Sequence, residues 1–363
     1  MAHPQMLRGV RLINAIILGT TDGAQLQTLL ADGGRAAAFN AVLQRPGQMI
    51  RMAASSTAMN AVAASSTAMN AVAASSTAMN AVIASSTAMN AVAASSTAMA
   101  VVDANDQAVR IWMLAGTGQN YASFASVAAV AASSTAMTAV IASSTAMAAV
   151  VASSTAMNAV AASSTAMNAV AASSAAMAAV IASNTAMAVV AASSTAMAAI
   201  SAVSSARSAF INSTKFTVAG VPAMTGATTP SGLITTNDPQ GVMGSYACIK
   251  ALDKNASSYW QASGGVGIWV GYEFATERII TRLEKTEQVP ASYGTATGRL
   301  QAFSGGSWVD CVSFTGNISQ PAFSSYTVTN LVRSKQWRFI NDATIGGYIN
   351  IKALDFVGFD MGV

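Results

Sequence analysis

Ala61-Val62-Ala63-Ala64-Ser65-Ser66-Thr67-Ala68-Met69-Asn70 is one copy of a decapeptide that recurs, with small changes, from about Met52 to Ile200. Its methionines stand at 59, 69, 79, 89 and 99, then again at 137, 147, 157, 167, 177, 187 and 197. A fixed period marks a repeat architecture. As one continuous α-helix, ten residues turn through about 1000°, so the Val/Met stripe drifts by roughly 80° per repeat. A coiled coil on this spacing needs about 3.3 residues per turn, outside the range that supercoils accommodate. A continuous strand also fails, because Val62 and Met69 are an odd number apart and face opposite sides. The decad must therefore be interrupted once per copy, and Ser-Ser is the place.

Degenerate copies carry the same message. Phe39-Asn40-Ala41-Val42 matches Met59-Asn60-Ala61-Val62 in phase, which puts Pro46 where Ser56 stands. Proline suits the first position of a helix and not its interior. Asn105-Asp106 replaces Ser-Ser with another pair of capping residues. Gly33-Gly34 falls at the phase of Ala53-Ala54, where a helix is expected to end. Each decad reads as a short helix of about six or seven residues, with a serine cap and with Met and Val three apart on its buried face. Stacked copies form a solenoid, the alternative being an oligomeric coil whose methionines meet on a symmetry axis.

Around this array the chain divides into four parts. Residues 1–24 carry an apolar strip (Val10, Leu12, Ile13, Ile16, Ile17, Leu18) and read as a strand or docking segment, either capping the array or attaching it to a larger assembly. Residues 25–203 are the helical shaft, with an irregular joint at 101–130 where the methionine phase shifts by two. Gly116-x-Gly118 in that stretch lacks the context of a phosphate loop, and the stretch reads as a kink or flexible joint in the rod. Residues 204–243, rich in Ser, Thr, Gly and Pro, read as a linker plus the first strand or two of the last domain. From Gly244 the composition changes, with four of the five tryptophans and six of the seven tyrosines. Short β-type runs recur at 268–274, 278–284, 299–303, 308–314, 326–332, 336–340 and 348–356, as in an antiparallel sandwich or jelly roll. The fold class is thus multidomain α + β: an elongated helical shaft, then a β-sandwich.

Charge narrows the function. Only 9% of residues are charged and the formal net charge is +4, without a Lys/Arg cluster, so nucleic-acid binding has little support. The interval from 53 to 206 holds only Asp103, Asp106 and Arg110. Its hydrophobicity is the reverse of a disordered segment, and association with copies of itself or other proteins fits better. Leu12–Leu18 follows two arginines as a signal sequence would, but it is short and has no clear cleavage site. Serine pairs recur too often for a membrane span. Cys248 and Cys311 fit no metal spacing and read as buried thiols. The single histidine, His3, leaves no His-based catalysis, and Glu284 with Glu287 is the only carboxylate pair suggestive of a glycosidase, so no enzyme is expected.

The last domain resembles a known family. Ala251-Leu252-Asp253-Lys254-Asn255-Ala256-Ser257-Ser258-Tyr259-Trp260 is similar to the opening of discoidin-like domains, the coagulation factor V/VIII C-type. Trp269–Phe274, Arg278–Leu283, Trp337–Ile340 and Ile351–Gly358 resemble its later strands in the same order. The resemblance implies a galactose-binding-like sandwich, whose relatives mostly bind glycans or membrane surfaces. It places Trp260 and Trp269 in the core. It also implies structural calcium at Asp253 and Asn255, although Ala353 stands where the family has a glutamate ligand. The decad array in turn resembles segments of bacteriophage tail fibres. Together the two resemblances imply a virion fibre, made in the host cytoplasm. Such fibres are usually homotrimers, joined to other phage tail proteins through the N-terminal segment and to a host surface polysaccharide through the sandwich, without membrane insertion. The alternative is a purely structural tail or capsid component whose sandwich docks on a neighbour. Sugars bind on aromatic faces with a few placed polar groups. Loop residues Lys254, Tyr259, Lys285, Glu287, Tyr293 and Arg299 are the candidates, with Trp308 as a further aromatic one.

Overall fold

The computed structural model describes residues 4–361, apart from 256, 264–265, 288–293 and 316–322. The chain forms two compact units, Met1–Ala196 and Met197–Val363.

The first unit is a helical solenoid. Each decad makes one helix of eight or nine residues, such as Ser56–Ala64, Ser66–Ala73 and Ser154–Ala162, longer than six or seven. The first serine of each pair is the cap. At Ser55 the backbone is extended (φ −99°, ψ 115°), and its Oγ accepts from Ala58 N at 3.2 Å. The chain bends by 104° between Ser134–Ala142 and Ser144–Ala152, and by 103° between Ser164–Ala172 and Ser174–Ala182. Repeated bends of this size bring each helix against the one three decads on. Pro46–Ala53 packs on Ser76–Ile83, Ser56–Ala64 on Ser86–Ala94, and Ser154–Ala162 on Asn184–Ala192.

The cap serine also closes the stack. Ser85 Oγ donates to Ala53 O at 2.7 Å, Ser95 to Ala63 at 2.7 Å, Ser163 to Ala131 at 2.8 Å and Ser193 to Ala161 at 2.6 Å. One hydroxyl thus takes an orphan N–H at its own helix start and supplies an orphan carbonyl at a helix end in the turn before. Met and Val, three apart, fill the interior: Met59, Val62, Met69, Val72 and Met157 have no exposed surface. Burial within one chain answers the solenoid-or-coil alternative in favour of the solenoid.

Three sequence expectations need correction. Gly33-Gly34 opens a helix, Gly33–Leu43, because the Asp32 carboxylate accepts from Arg35 N at 2.9 Å, and this cap outweighs the poor helix propensity of a terminal glycine. The N-terminal segment is a helix, Pro4–Ile17, not a strand. It lies so close to Gly33–Leu43 that a Cβ on Gly9 would stand 2.3 Å from Ala38 O. The irregularity at 101–130 is confined to the stretch after Asp106–Met113 and before Val127–Ala132. It is pinned: Arg110 Nη1 donates to Phe124 O at 2.6 Å, and Trp112, fully buried, donates from Nε1 to Ala149 O at 2.8 Å.

The second unit is an antiparallel sandwich of nine strands: β1 Val218–Ala219, β2 Leu233–Thr236, β3 Trp260–Ser263, β4 Trp269–Glu287, β5 Gly294–Ser304, β6 Ser307–Thr315, β7 Phe323–Thr327, β8 Arg333–Ile345 and β9 Tyr348–Asp360. β4 joins its two layers. Residues 269–273 pair with β2 and β8, Arg278 and Ile279 pair with both β8 and β9, and the strand from Ile280 to Glu287 pairs with β9 and β7, the register with β8 shifting between Glu273 and Arg278. The first layer therefore runs β2-β4-β8-β5-β6, and the second gathers β1 and β3 on the outer edge of β9. β8 and β9 pair only at Ile345↔Tyr348, where Gly346 and Gly347 take positive φ, and then part into different layers. The core holds Trp260, Trp337, Phe339, Tyr272 and Phe356, all buried. Trp260 Nε1 donates to Asp238 Oδ2 at 2.7 Å, and its ring meets Phe339 edge-on.

Residues 204–243 are more than a linker. They hold a helix, Ser204–Ile211, besides β1 and β2, and Phe210 packs edge-on against Phe359 at 5.8 Å. The two strands agree with the expected first strand or two of the last domain, and the helix is the addition.

Candidate functional site

The sequence candidates go to separate places. Asp253, Lys254, Asn255 and Tyr259 share one loop, where Lys254 (φ 58°) pairs with Asp355. Both Asp253 carboxylate oxygens accept from Ser258 Oγ at 2.8 Å, and Asn255 Oδ1 accepts from Ser257 N at 2.9 Å. With those oxygens spent on the turn, Lys250 Nζ 3.8 Å from Asp253, and no third donor at Ala353, this set does not fit calcium. Tyr259 lies against exposed Tyr246, centroids 5.2 Å apart, and the hydrogen bond between the two phenols raises the Tyr259 pKa.

Lys285 and Glu287 were expected on a loop. They end β4, buried at 2% and 4% exposure, paired with each other, with the ammonium 5.2 Å from the Phe314 ring. Strand pairing with β9 continues to Glu287, which is what takes them inside. Burial outweighs the attraction of Lys285 and raises the Glu287 pKa. Tyr293 lies outside the described residues. Cys248 and Cys311 are free and buried, and burial pushes both thiols up to about 12.

Arg299 belongs to a surface that sequence reasoning assembled only in part. On the outer face of the first layer, alternation points Trp337, Phe339, Leu300 and Ala302 inward and their neighbours outward. Register sets Arg338 opposite both Gly271 and Gln301, and Phe303 opposite Trp308. The Arg338 guanidinium lies 4.1 Å from the centroid of Trp308 and 5.4 Å from that of Trp269. Trp269, expected in the core, is half-buried on this face. Its indole passes over Gly271, where an added Cβ would stand 3.3 Å from Cζ3. Phe303 meets Trp308 edge-on at 5.4 Å and is 38% exposed.

Polar groups here are held in a chain. Arg338 Nε donates to Gln301 Oε1 at 2.7 Å, and Gln301 Nε2 to Asp310 Oδ1 at 2.6 Å. Arg299 is bidentate to Asp342 at 2.8 Å and reaches Asp310 at 3.2 Å. The two arginines differ accordingly. The hydrogen bonds that Asp342 accepts, reinforced by Asp310, raise the Arg299 pKa, whereas desolvation and then the Arg299 charge lower that of Arg338. Among the described residues the terminal nitrogens of Arg338 have no acceptor, so they remain available to a ligand. Arg338 stands in the Trp337–Ile340 run of the sequence, and its period-2 alternation was the signal that could have placed it on the surface.

No protein-family model and no curated protein matches the sequence. Among solved structures, the chain is similar to the family 32 carbohydrate-binding module of C. perfringens NanJ in complex with galactose (12% identity, 39% of this chain and 99% of that one, TM-score 0.33). It is also similar to a module from Clostridium perfringens in complex with GalNAc-β-1,3-galactose (12% identity, 35% and 94%, TM-score 0.31). A third likeness is to the F5/8 type C domain of a Bacteroides fragilis protein (13% identity, 36% and 92%, TM-score 0.32). The C-terminal region thus resembles family 32 carbohydrate-binding modules and F5/8 type C domains, beside an N-terminal part built of helical repeats.

Proposed function

We propose that this chain is a non-enzymatic tail fibre or adhesin of a virion, whose C-terminal sandwich binds a neutral glycan on the host surface. The observation that carries glycan binding is the Trp269–Arg338–Trp308 cluster with its chain of fixed polar groups. Half-exposed indoles and the edge of Phe303 offer apolar contact to sugar C–H groups. Arg338 supplies free N–H donors, and Asp310 and Asp342 can accept from sugar hydroxyls. Two arginines against two aspartates leave the face without net charge, which suits a neutral sugar. The fibre role is supported by the decad array and its resemblance to phage tail fibres, with the N-terminal segment attaching the chain to other tail proteins and trimerisation expected by that resemblance.

The full chain is to be tested on immobilised host polysaccharides and a panel of neutral oligosaccharides. Binding by the intact chain, lost in both Trp308→Ala and Arg338→Ala while the far-ultraviolet spectrum is unchanged, is the expected result. An intact chain that binds nothing in the panel, or variants that bind as well as the parent, overturns it.

A further inference from the structure

Most charged residues of the first unit precede the regular array. Arg8, Arg11, Arg35, Arg45 and Arg51 face only Asp22 and Asp32 before the regular array begins. Three of these arginines converge. Arg8 and Arg11 lie three apart on Pro4–Ile17, and Arg35 lies on Gly33–Leu43, which the close contact at Gly9 holds against it. They line a cleft of about 480 Å³ with Leu12, Leu29 and Asp32. Among the described residues none of the three makes an ion pair. Asp32 Oδ1 accepts from Arg35 N at 2.9 Å, so the lining sets three cations against one anion.

Exposed apolar side chains concentrate at the same end. Leu7 (51%), Leu18 (76%) and Ile50 (60%) are the large exposed hydrophobics among the described residues of the first unit. Leu7, Arg11 and Leu18 are spaced four and seven apart, so they form one stripe on the N-terminal helix as its last turn runs out. Arg51 Nη2 donates to Asn14 Oδ1 at 3.3 Å, which brings Ile50's helix alongside.

We infer that this end is a docking surface for an acidic protein segment that alternates carboxylates with apolar residues. Guanidinium groups recognise carboxylates bidentately, and arginine beside exposed leucine is the composition of an interface rather than of a solvated face. Three guanidinium groups around one carboxylate leave the cleft with surplus positive charge, which a partner carrying carboxylates neutralises. Three cations with apolar neighbours, in a chain without a basic stripe, favour protein over nucleic acid. The inference deepens the attachment role given above to the N-terminal segment and is separate from glycan binding.

Fluorescence anisotropy of a labelled peptide of alternating Glu and Leu, titrated with the full chain, tests it. The peptide is expected to bind, and the triple variant R8E/R11E/R35E to weaken binding by about tenfold or more, a difference of about 1.4 kcal/mol. Arg45→Glu, a single charge reversal outside the cleft, should leave it unchanged, whereas Arg35→Glu, a single reversal inside it, should weaken it. Circular dichroism checks that the exposed substitutions keep the fold. No binding, binding indifferent to the triple variant, an equal loss in Arg45→Glu, or equal binding of a heparin or duplex-DNA probe overturns the inference. Peptide binding that the triple variant abolishes supports it even if cross-linking places another segment against the particle, which overturns only the attachment role.

Discussion

In the solenoid, a residue's surroundings are decided by its place in a ten-residue period; in the sandwich, they are decided by partners far along the chain. Met157 packs among side chains of the same decad type, and the interface between stacked helices recurs at each turn. Trp260 has one environment in the molecule, formed by Asp238 and Phe339. Repetition makes the first unit tolerant in a particular way. A lesion in one decad weakens the interfaces it touches, and distant turns keep theirs. Non-local register makes the second unit cooperative, because β4 serves both layers and cannot be loosened in one alone.

The severest way to break this comparison is Met157→Asp. A carboxylate placed where exposure is zero has no counter-charge, and the expected loss is about 5 kcal/mol or more, locally expressed. Hydrogen exchange should accelerate in Ser154–Ala162 and the helices stacked on it while the first decads keep their protection. Uniform loss of protection across the whole first unit would contradict the nearest-neighbour picture.

Trp260→Ala is its counterpart in the sandwich. Removal of a fully buried indole costs about 3–5 kcal/mol, and Asp238 loses its partner as well. Calorimetry should show one transition lowered as a whole and the solenoid transition unmoved. Exchange confined to β3 would argue against cooperativity between the layers.

Glu287→Gln replaces the titrating carboxyl beside buried Lys285 with a neutral group of the same shape. pH sharpens this one. The folded pKa of Glu287 is raised, so the stability it contributes is fully present below its unfolded value near 4.5 and is lost as pH rises through the folded value. The deficit of the variant relative to the parent should therefore be larger at pH 4 than at pH 7, as read from paired urea melts. The opposite trend would mean that Lys285 dominates over burial.

Ser95→Ala is the mildest. It removes one hydroxyl that both accepts from Ala98 N at 3.2 Å and donates to Ala63 O at 2.7 Å. A lost cap costs about 1 kcal/mol, and the second bond raises this to about 2. Ser55→Ala, where only the capping bond is made, should cost about half as much. Equal thermal shifts for the two would show that the bond between turns contributes nothing.

The period of ten, the serine caps, the pairing of Met with Val and most β-type runs of the last domain were legible in the residues, because each is a local property with a local physical cause; the run 326–332 was not, since its strand ends at Thr327. A side-chain cap needs only its own helix start, and alternation needs only its own strand. The break at Ser-Ser is settled by geometry internal to the decad. Helix length was less legible, since the last turn of a helix can be held by the solenoid turn that follows it, through bonds such as Ser95 to Ala63. Gly33-Gly34 misled because a capping aspartate one residue upstream changed the meaning of the glycines. The placement of Lys285, Glu287, Trp269 and Arg338 was beyond the sequence for a different reason. Which face of a strand is inside, and how far a strand extends before its loop, depend on register with strands far along the chain, as Trp269↔Ile340 and Glu287↔Ile351 show. The sequence thus determined what each segment becomes, because backbone hydrogen bonding and periodicity act over a few residues; the tertiary structure alone decided which side chains share a surface, because that is fixed by pairing between segments.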